Sequence, residues 1–478
     1  MKLHRKQLVE LVNMIKNKKI KPAEIILYFH KRIVKLNPII KAFLAFTREE
    51  DLQNSVDDID GKLPGIPIGI KDNINTSIFP TSCAAKIESN IEEKYNAFAV
   101  EKILAEGGVI AGKTNLNEFG MVPPNYQDSL ITTLNPWNLA HIPGGSSSGS
   151  AAAVAAGLIP ASLGTDTGGS VRIPAAHCGL VGFKPTYGLI SRCGVVAFAP
   201  TLDQIGPITK SVADAAYLMD IIAGYDVQDP LMSKTPEISF TDKKKLDDFL
   251  GVKFGLPADS LNNKVANSTR AKIKELANKI TDLGGEIVDI NLPDVEITKI
   301  TYYIIAQSEV YQELTDKIPK NKGLCSKKDG LSNRINLSNS NMLSKETKRR
   351  ILIGGFVQQN KFLYSQALKV RTKIINEFND VFKKCDFVLT PTTPYPAEEI
   401  ANKKKVVSEY TKPDFTTMAN ITGRPAITLP VGLSEDNLPI GAQLLGDYYA
   451  DAKLMQVAEN LEELLSFSEI RKEQLALF

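Results

Sequence analysis

Apolar and charged residues alternate at helical spacing over 5–16 and 22–36 and predict two amphipathic helices, the second with Pro22 near its first turn. A strand follows over 40–46. The run LPGIPIGIK is β-rich and stops at Lys71, before turn-forming Asp72 and Asn73. Residues 97–106 read as a helix closed by Gly107-Gly108, and 109–111 as a strand. Between 143 and 174 two Gly-Gly-Ser turns bracket an alanine run, 151–156, that reads as a helix packed too tightly for larger side chains. Ser211 caps a helix over 212–223. Strands at 252–256 and 286–290 flank a long helix at 264–282. Residues 302–383 are mostly helical, interrupted by a Lys/Asn/Ser-rich insert near 318–342 that reads as a surface loop. Strands return at 386–390, 426–430 and 440–445, and a last helix covers 451–465.

Strands that alternate with helices define an α/β protein: one α/β/α domain over 1–478, a mixed β-sheet core flanked by helices. With 478 residues, 43% of them hydrophobic, the chain buries a large core. A net charge of +3 is too small for nucleic-acid binding through bulk electrostatics, and the lysine clusters at 16–22, 241–245 and 318–328 read as solvated helix ends or loops. Five scattered cysteines without a CxxC pair fit a reducing compartment and argue against a zinc site. The amino-terminal segment lacks the unbroken apolar core of a signal peptide, and no stretch approaches the roughly 18 apolar residues of a membrane span. The expectation is a cytoplasmic protein without a membrane partner.

Two short motifs fail on context. Gly107-x-x-x-x-Gly112-Lys113-Thr114 matches a P-loop, yet its spacer (Val109, Ile110, Ala111) is itself the strand, so the glycines end a helix and build no phosphate loop. Gly145-Ser146-Ser147-Ser148-Gly149 matches a nucleophile elbow, which needs a histidine further along the chain. The four histidines are His4, His30, His141 and His177, and His177 reads as a packed structural residue.

Ser146 and Ser170 each follow a glycine pair, which lets backbone come close to a ligand and aim successive N–H groups at it. Without histidine, a serine nucleophile needs another base. A lysine can serve when burial or neighbouring cations lower its pKa from about 10.4. Lys71, directly after the apolar run 66–70, sits at a strand end where α/β sheets place functional groups, and by position alone it reads as a surface lysine or a functional one.

The segment GGSSSGSAAAVAAG…LGTDTGGSVRIPAAHCGLVGFKPTYG closely resembles the signature of the amidase family, whose enzymes use a Ser–cis-Ser–Lys triad. The resemblance implies Ser170 as nucleophile, Ser146 as bridging serine after a cis peptide, and Lys71 as base, in a catalytic core over about 60–225. It implies an oxyanion site at the N–H groups of Thr167, Gly168, Gly169 and Ser170, with no metal and no cofactor. Across nearly the whole chain, through GKTNLNEFGM, VVAFAPTLDQIGPITKSVADAA, YYIIAQSE, KRRILIGGF and LTPTTPYPAE, the sequence is most similar to the A subunits of tRNA-dependent amidotransferases. That similarity implies glutamine as the amide substrate, ammonia passed to a B subunit, a bracing C subunit, and tRNA reached only through the B subunit. It assigns the substrate carboxylate to Arg350 (or Arg349), and pocket positions to Tyr302 (or Tyr303) and Met121, with a helical elaboration over about 295–385. The chain departs from the A-subunit pattern at Val122-Pro123-Pro124, at the 318–342 insert, and at Pro413, where the aspartate that grips the α-amino group is expected and Asp414 follows one position late. A stand-alone amidase acting on another carboxamide is the alternative.

Overall fold

The computed structural model describes residues 1–48, 60–85, 95–121, 131–232, 238–242, 246–317, 343–400 and 414–477. The strands are β1 (Phe43–Phe46), β2 (Pro67–Lys71), β3 (Val109–Thr114), β4 (Ala161–Asp166), β5 (Val181–Lys184), β6 (Gln204–Thr209), β7 (Lys253–Pro257), β8 (Glu286–Ile290), β9 (Phe387–Pro391), β10 (Ala426–Leu433) and β11 (Pro439–Gly446). They join one mixed sheet in the order β1-β3-β2-β4-β6-β5-β10-β11-β9-β7-β8. β2 pairs in parallel with both β3 and β4, while β4, β6, β5, β10, β11 and β9 form an antiparallel centre.

Helices α1 (Leu8–Lys16), α2 (Pro22–Ile40), α3 (Phe98–Ala105), α4 (Ser148–Ala155), α5 (Arg172–His177), α6 (Val212–Ile222) and α7 (Asn267–Asp282) come first. They are followed by α8 (Val295–Lys317), α9 (Lys345–Gln359), α10 (Lys361–Val381), α11 (Thr417–Thr422), α12 (Asp451–Leu465) and α13 (Phe467–Gln474). The α/β expectation therefore holds, with the sheet flanked by helices. One apolar cluster runs from Leu8 and Phe29 through Ile68, Ile70 and Phe183 to Leu461, and joins both halves of the sheet to α1, α3, α6, α7 and α12. Among the described residues no helix is long and apolar enough to cross a membrane.

The element pattern differs from the sequence reading at α2, at β3 and at β4 to β6. α2 runs past 36 and over Pro38 to Ile40: the extra turn buries Ile40, and Lys41, at φ 58°, ends it by donating its N–H to Asn37 O at 2.7 Å. β3 continues past Ala111 to Thr114, because Lys113 is a buried strand residue paired with Asp72 at 3.2 Å. Gly112-Lys113-Thr114 thus lies inside a strand. The sequence pattern does not predict β4, β5 and β6. Each is buried on both faces, so no alternation marks it, and β4 (ASLGTD) and β6 (QIGPIT) carry glycine and polar residues. The insert 318–342 and the lysines within 243–245 lie outside the described residues.

Two close approaches place the site. Ile68 and Ile70 point into the main apolar cluster, so the period of two sends Gly69 and Lys71 to the opposite face. A Cβ at Gly69 would stand 2.5 Å from Ile159 Cδ1, just after α4, which fixes how tightly that segment lies on β2. All eight residues of α4 are buried, and that is why it is built from Ser, Gly, Ala and Val alone.

Candidate active site

Lys71 ends β2 with no exposed surface. Its Nζ donates to Ser146 Oγ at 2.8 Å, to Thr165 Oγ1 at 2.8 Å and to Thr165 O at 3.3 Å. Asn73 Nδ2 donates to the same threonine oxygen at 3.1 Å. Among the described residues no carboxylate pairs with the amine. Burial pushes the Lys71 ammonium down to about 7, against the opposing pull of the Asp166 and Asp203 charges and of Cys83. A lysine that loses its charge near neutrality can accept a proton.

Ser146 follows the cis peptide Gly145-Ser146, two residues before α4. Its carbonyl accepts from Asn117 N at 3.2 Å, and the next residue, Ser147, donates its N–H to Ser170 O at 3.2 Å. Two segments 24 residues apart are thereby stitched together, and Ser146 and Ser170 line one cavity.

The loop that carries Ser170 is closed by a buried ion pair. Asp166 Oδ1 accepts from Arg172 Nη2 at 2.9 Å, Gly169 N at 2.8 Å and Asn420 Nδ2 at 2.9 Å. Its Oδ2 accepts from Arg172 Nε at 3.0 Å and Val171 N at 3.1 Å. Burial alone would raise this carboxyl; the Arg172 charge, its hydrogen bonds and the Asn420 amide outweigh that and hold it far below the usual carboxylate range. Because the Gly169 N–H is spent on Asp166, the oxyanion expectation narrows to Thr167, Gly168 and Ser170. Thr167 Oγ1 donates to Asp203 Oδ1 at 2.5 Å, and Asp203 Oδ2 holds Phe198 N at 2.8 Å and Ala199 N at 3.0 Å. Burial pushes the Asp203 carboxyl up to about 6, the hydrogen bonds notwithstanding. Both glycines of this loop are required: a Cβ on Gly168 would stand 2.6 Å from Tyr302 Oη, and one on Gly169, at φ 120°, would meet Thr416 Oγ1.

The cavity measures about 240 Å³. Its wall includes Asn117, Met121, Gly168, Tyr302, Tyr303, Arg350 and Asp414, together with Ile142, Ile173, His177, residues 392–396 and Glu398. Both tyrosines face it, and Tyr302 is buried, with its hydroxyl pushed well above the usual phenol range by that burial. Of the two arginines, Arg350 reaches the wall, 6.0 Å from the Tyr303 ring centroid, and its Nε donates to Glu346 at 2.8 Å. Arg349, 43% exposed, binds Glu346 from the outer side of α9. Glu118 sets the position of that helix: its carboxylate accepts from Ser344 N at 3.0 Å and from Thr347 Oγ1, and Ser344 is the α9 N-cap. Asp414 is on the wall despite its offset in the sequence, with Oδ1 accepting from Thr416 N at 2.8 Å and Thr417 N at 3.1 Å. Val122-Pro123-Pro124 and Pro413 lie outside the described residues.

His177 is buried, as a packed residue should be, but its ring is also cavity wall, with Nε2 3.2 Å from Thr393 Oγ1. Sequence reasoning missed Thr165, Asp166, Arg172 and Asp203. The available signal was Thr-Asp ahead of Gly-Gly-Ser, where a polar pair ends a buried strand. Among the described residues no group of three or more His, Cys, Asp or Glu side chains is arranged to hold a metal ion.

A mixed sheet with a buried lysine beside two glycine-flanked serines defines a class, the amidases. The Amidase family model matches residues 24–455, and the chain belongs to that family. The chain is 39% identical over 470 residues to the A subunit of the glutamyl-tRNA(Gln) amidotransferase of Halothermothrix orenii, with 98% of each chain covered. The crystal structure of the A subunit of the Thermotoga maritima glutamyl-tRNA(Gln) amidotransferase superposes with a TM-score of 0.82 at 36% identity, over 96% of this chain and 95% of that one. A peptide amidase from Stenotrophomonas maltophilia shares the fold with a TM-score of 0.84 at 24% identity, over 97% and 98% of the two chains.

Proposed function

We propose that the chain hydrolyses a carboxamide by a Lys71–Ser146–Ser170 relay and serves as the glutaminase component, the A subunit, of a tRNA-dependent amidotransferase. The observation that carries the chemistry is Lys71 Nζ at 2.8 Å from Ser146 Oγ, buried and drawn down to about 7. In its neutral form the amine takes the Ser146 proton, and Ser146 takes that of Ser170 as Ser170 Oγ bonds to the carbonyl carbon. The N–H groups of Thr167, Gly168 and Ser170 are the donors for the developing oxyanion. Ser146 then returns a proton to the substrate nitrogen, the C–N bond breaks and ammonia leaves. Water cleaves the acyl-enzyme to the carboxylate.

Glutamine fits the charges on the wall: the Arg350 guanidinium suits an α-carboxylate and Asp414 an α-ammonium. Identity of 39% over 98% of such an A subunit supports ammonia delivery to a B subunit, with a bracing C subunit and tRNA met only through B. The test is ammonia release from glutamine by the isolated chain and by the chain co-expressed with candidate B and C subunits. Release that depends on Ser170 and Lys71, and is raised by the partners, supports this reading. Glutamine left inert while simple aryl or aliphatic amides are cleaved selects a stand-alone amidase. The apolar and neutral surface that Ile142, Ile173 and His177 add to the cavity wall favours that second reading.

A further inference from the structure

We propose that a second, basic cavity, between the amino-terminal segment and α13, is a binding site for a phosphate-class dianion. It measures about 260 Å³ and shares no lining residue with the amidase cavity. Four cations line it, Arg5, Lys210, Arg471 and Lys472, against one carboxylate, Glu10. Glu10 is already engaged, accepting from Gln7 N at 2.8 Å and pairing with Lys6 at 3.3 Å.

Two of the cations are deeply buried, Lys210 at 2% exposure and Arg471 at 4%. Their hydrogen bonds go largely to neutral carbonyls: Lys210 Nζ to His4 O and Lys6 O, both at 2.7 Å, and Arg471 to Gly179 O at 2.9 Å and to Lys210 O. Carbonyls satisfy donors without cancelling charge. The carboxylates behind the cavity are committed to backbone: Asp214 to Leu8 N and Val9 N, each at 3.0 Å, and Glu462 to Val212 N at 2.8 Å. Burial also pushes the Glu462 carboxyl up to about 7, which cuts its negative charge at neutral pH. Burial, with the neighbouring Arg471 and Arg32 charges, lowers the Lys210 ammonium to about 7 against the Asp214 charge, so its positive charge is likewise cut at neutral pH until a bound anion restores it. Arg5 Nε is enclosed and has no acceptor among the described residues. An enclosed donor without an acceptor, beside two buried cations, is a place where an entering anion gains both hydrogen bonds and countercharge. A tetrahedral dianion matches donors that converge from separate elements, since its oxygens accept from several directions at once. Bound there, it would tie the first residues of the chain to α13 and stabilise the folded state by mass action.

The test is calorimetry and thermal unfolding of the full chain with inorganic phosphate, at an ionic strength held constant with chloride. The expected result is saturable binding and a rise in Tm, with Arg5→Gln and Lys472→Gln each weakening the affinity about tenfold or more. Lys472 is exposed and pairs with Glu469, on its own helix, at 2.7 Å, so its variant stands as the test if Arg5→Gln lowers the unliganded Tm. Absence of saturable phosphate binding by the parent chain, or unchanged affinity in the Lys472→Gln chain, overturns the proposal. Glycerol phosphate and dimethyl phosphate separate the sources. Binding of the monoester supports a small dianionic ligand, whereas preference for the diester overturns the dianion assignment.

Discussion

Lys71 is the one residue whose titration the proposed chemistry needs. Its amine must be neutral to act, and burial sets its pKa near 7. The logarithm of kcat/KM should therefore rise with slope one up to about pH 7 and then level, about tenfold lost for each unit below; a flat profile from pH 5 to 9 contradicts a lysine base. Lys71→Ala should lower kcat by about 10²–10⁴-fold, the span of a positioned general base, with Ser170→Ala forming no acyl-enzyme by mass spectrometry. Asp203 gives the sign of a subtler effect. Its charge favours the Lys71 ammonium, so Asp203→Asn should move the acidic limb to lower pH. A limb unmoved or shifted upward would show that the carboxylate acts on the Thr167 loop alone.

Elements bring these residues into place through buried polar braces. The Asp166–Arg172 pair, with both side chains wholly buried, closes the loop between β4 and α5 on which Ser170 sits. Asp166→Asn leaves a buried guanidinium without its counter-charge and should cost about 3–5 kcal/mol in urea unfolding. Glu118 acts at a distance: by holding the N-cap of α9 it fixes where Arg350 meets the cavity. Glu118→Gln should raise KM more than it lowers kcat, and an unchanged KM would detach that brace from substrate binding. α4 has little slack. A Cβ at Gly149 would run into Ala42 O and the Asn115 backbone, so Gly149→Ala should destabilise by about 1–3 kcal/mol, read from the denaturant midpoint.

At the scale of the whole molecule the sheet is continuous from β1 to β8, and one apolar cluster spans residues from Leu3 to Leu461. With no break in either, the chain is proposed to unfold as one unit. Circular dichroism and the fluorescence of Trp137, whose Nε1 donates to Cys178 O at 2.8 Å and whose ring lies 5.7 Å from that of Phe467, should give coincident transitions. Two separated transitions would place a domain boundary that the sheet does not reveal.

The sequence alone determined the elements with a visible period or boundary residue, among them α6 behind its Ser211 cap, α7, β7 to β11 and α12, and with them the α/β class. It also singled out Ser146 and Ser170, because glycine pairs are chemical facts readable in one dimension, while Lys71 came in through the resemblance to the amidase signature. Only the tertiary structure decided which side of α9 faces the cavity, and so Arg350 over Arg349. It alone brought Asp414 to the wall and turned the Gly169 N–H to Asp166. It alone revealed β4 to β6 as strands. The reason is physical: a segment buried on both faces carries no periodic signal, and a side chain's partner is set by packing between elements far apart in the chain. Lys71 and Ser146 are 75 residues apart, and nothing local to either says that they touch.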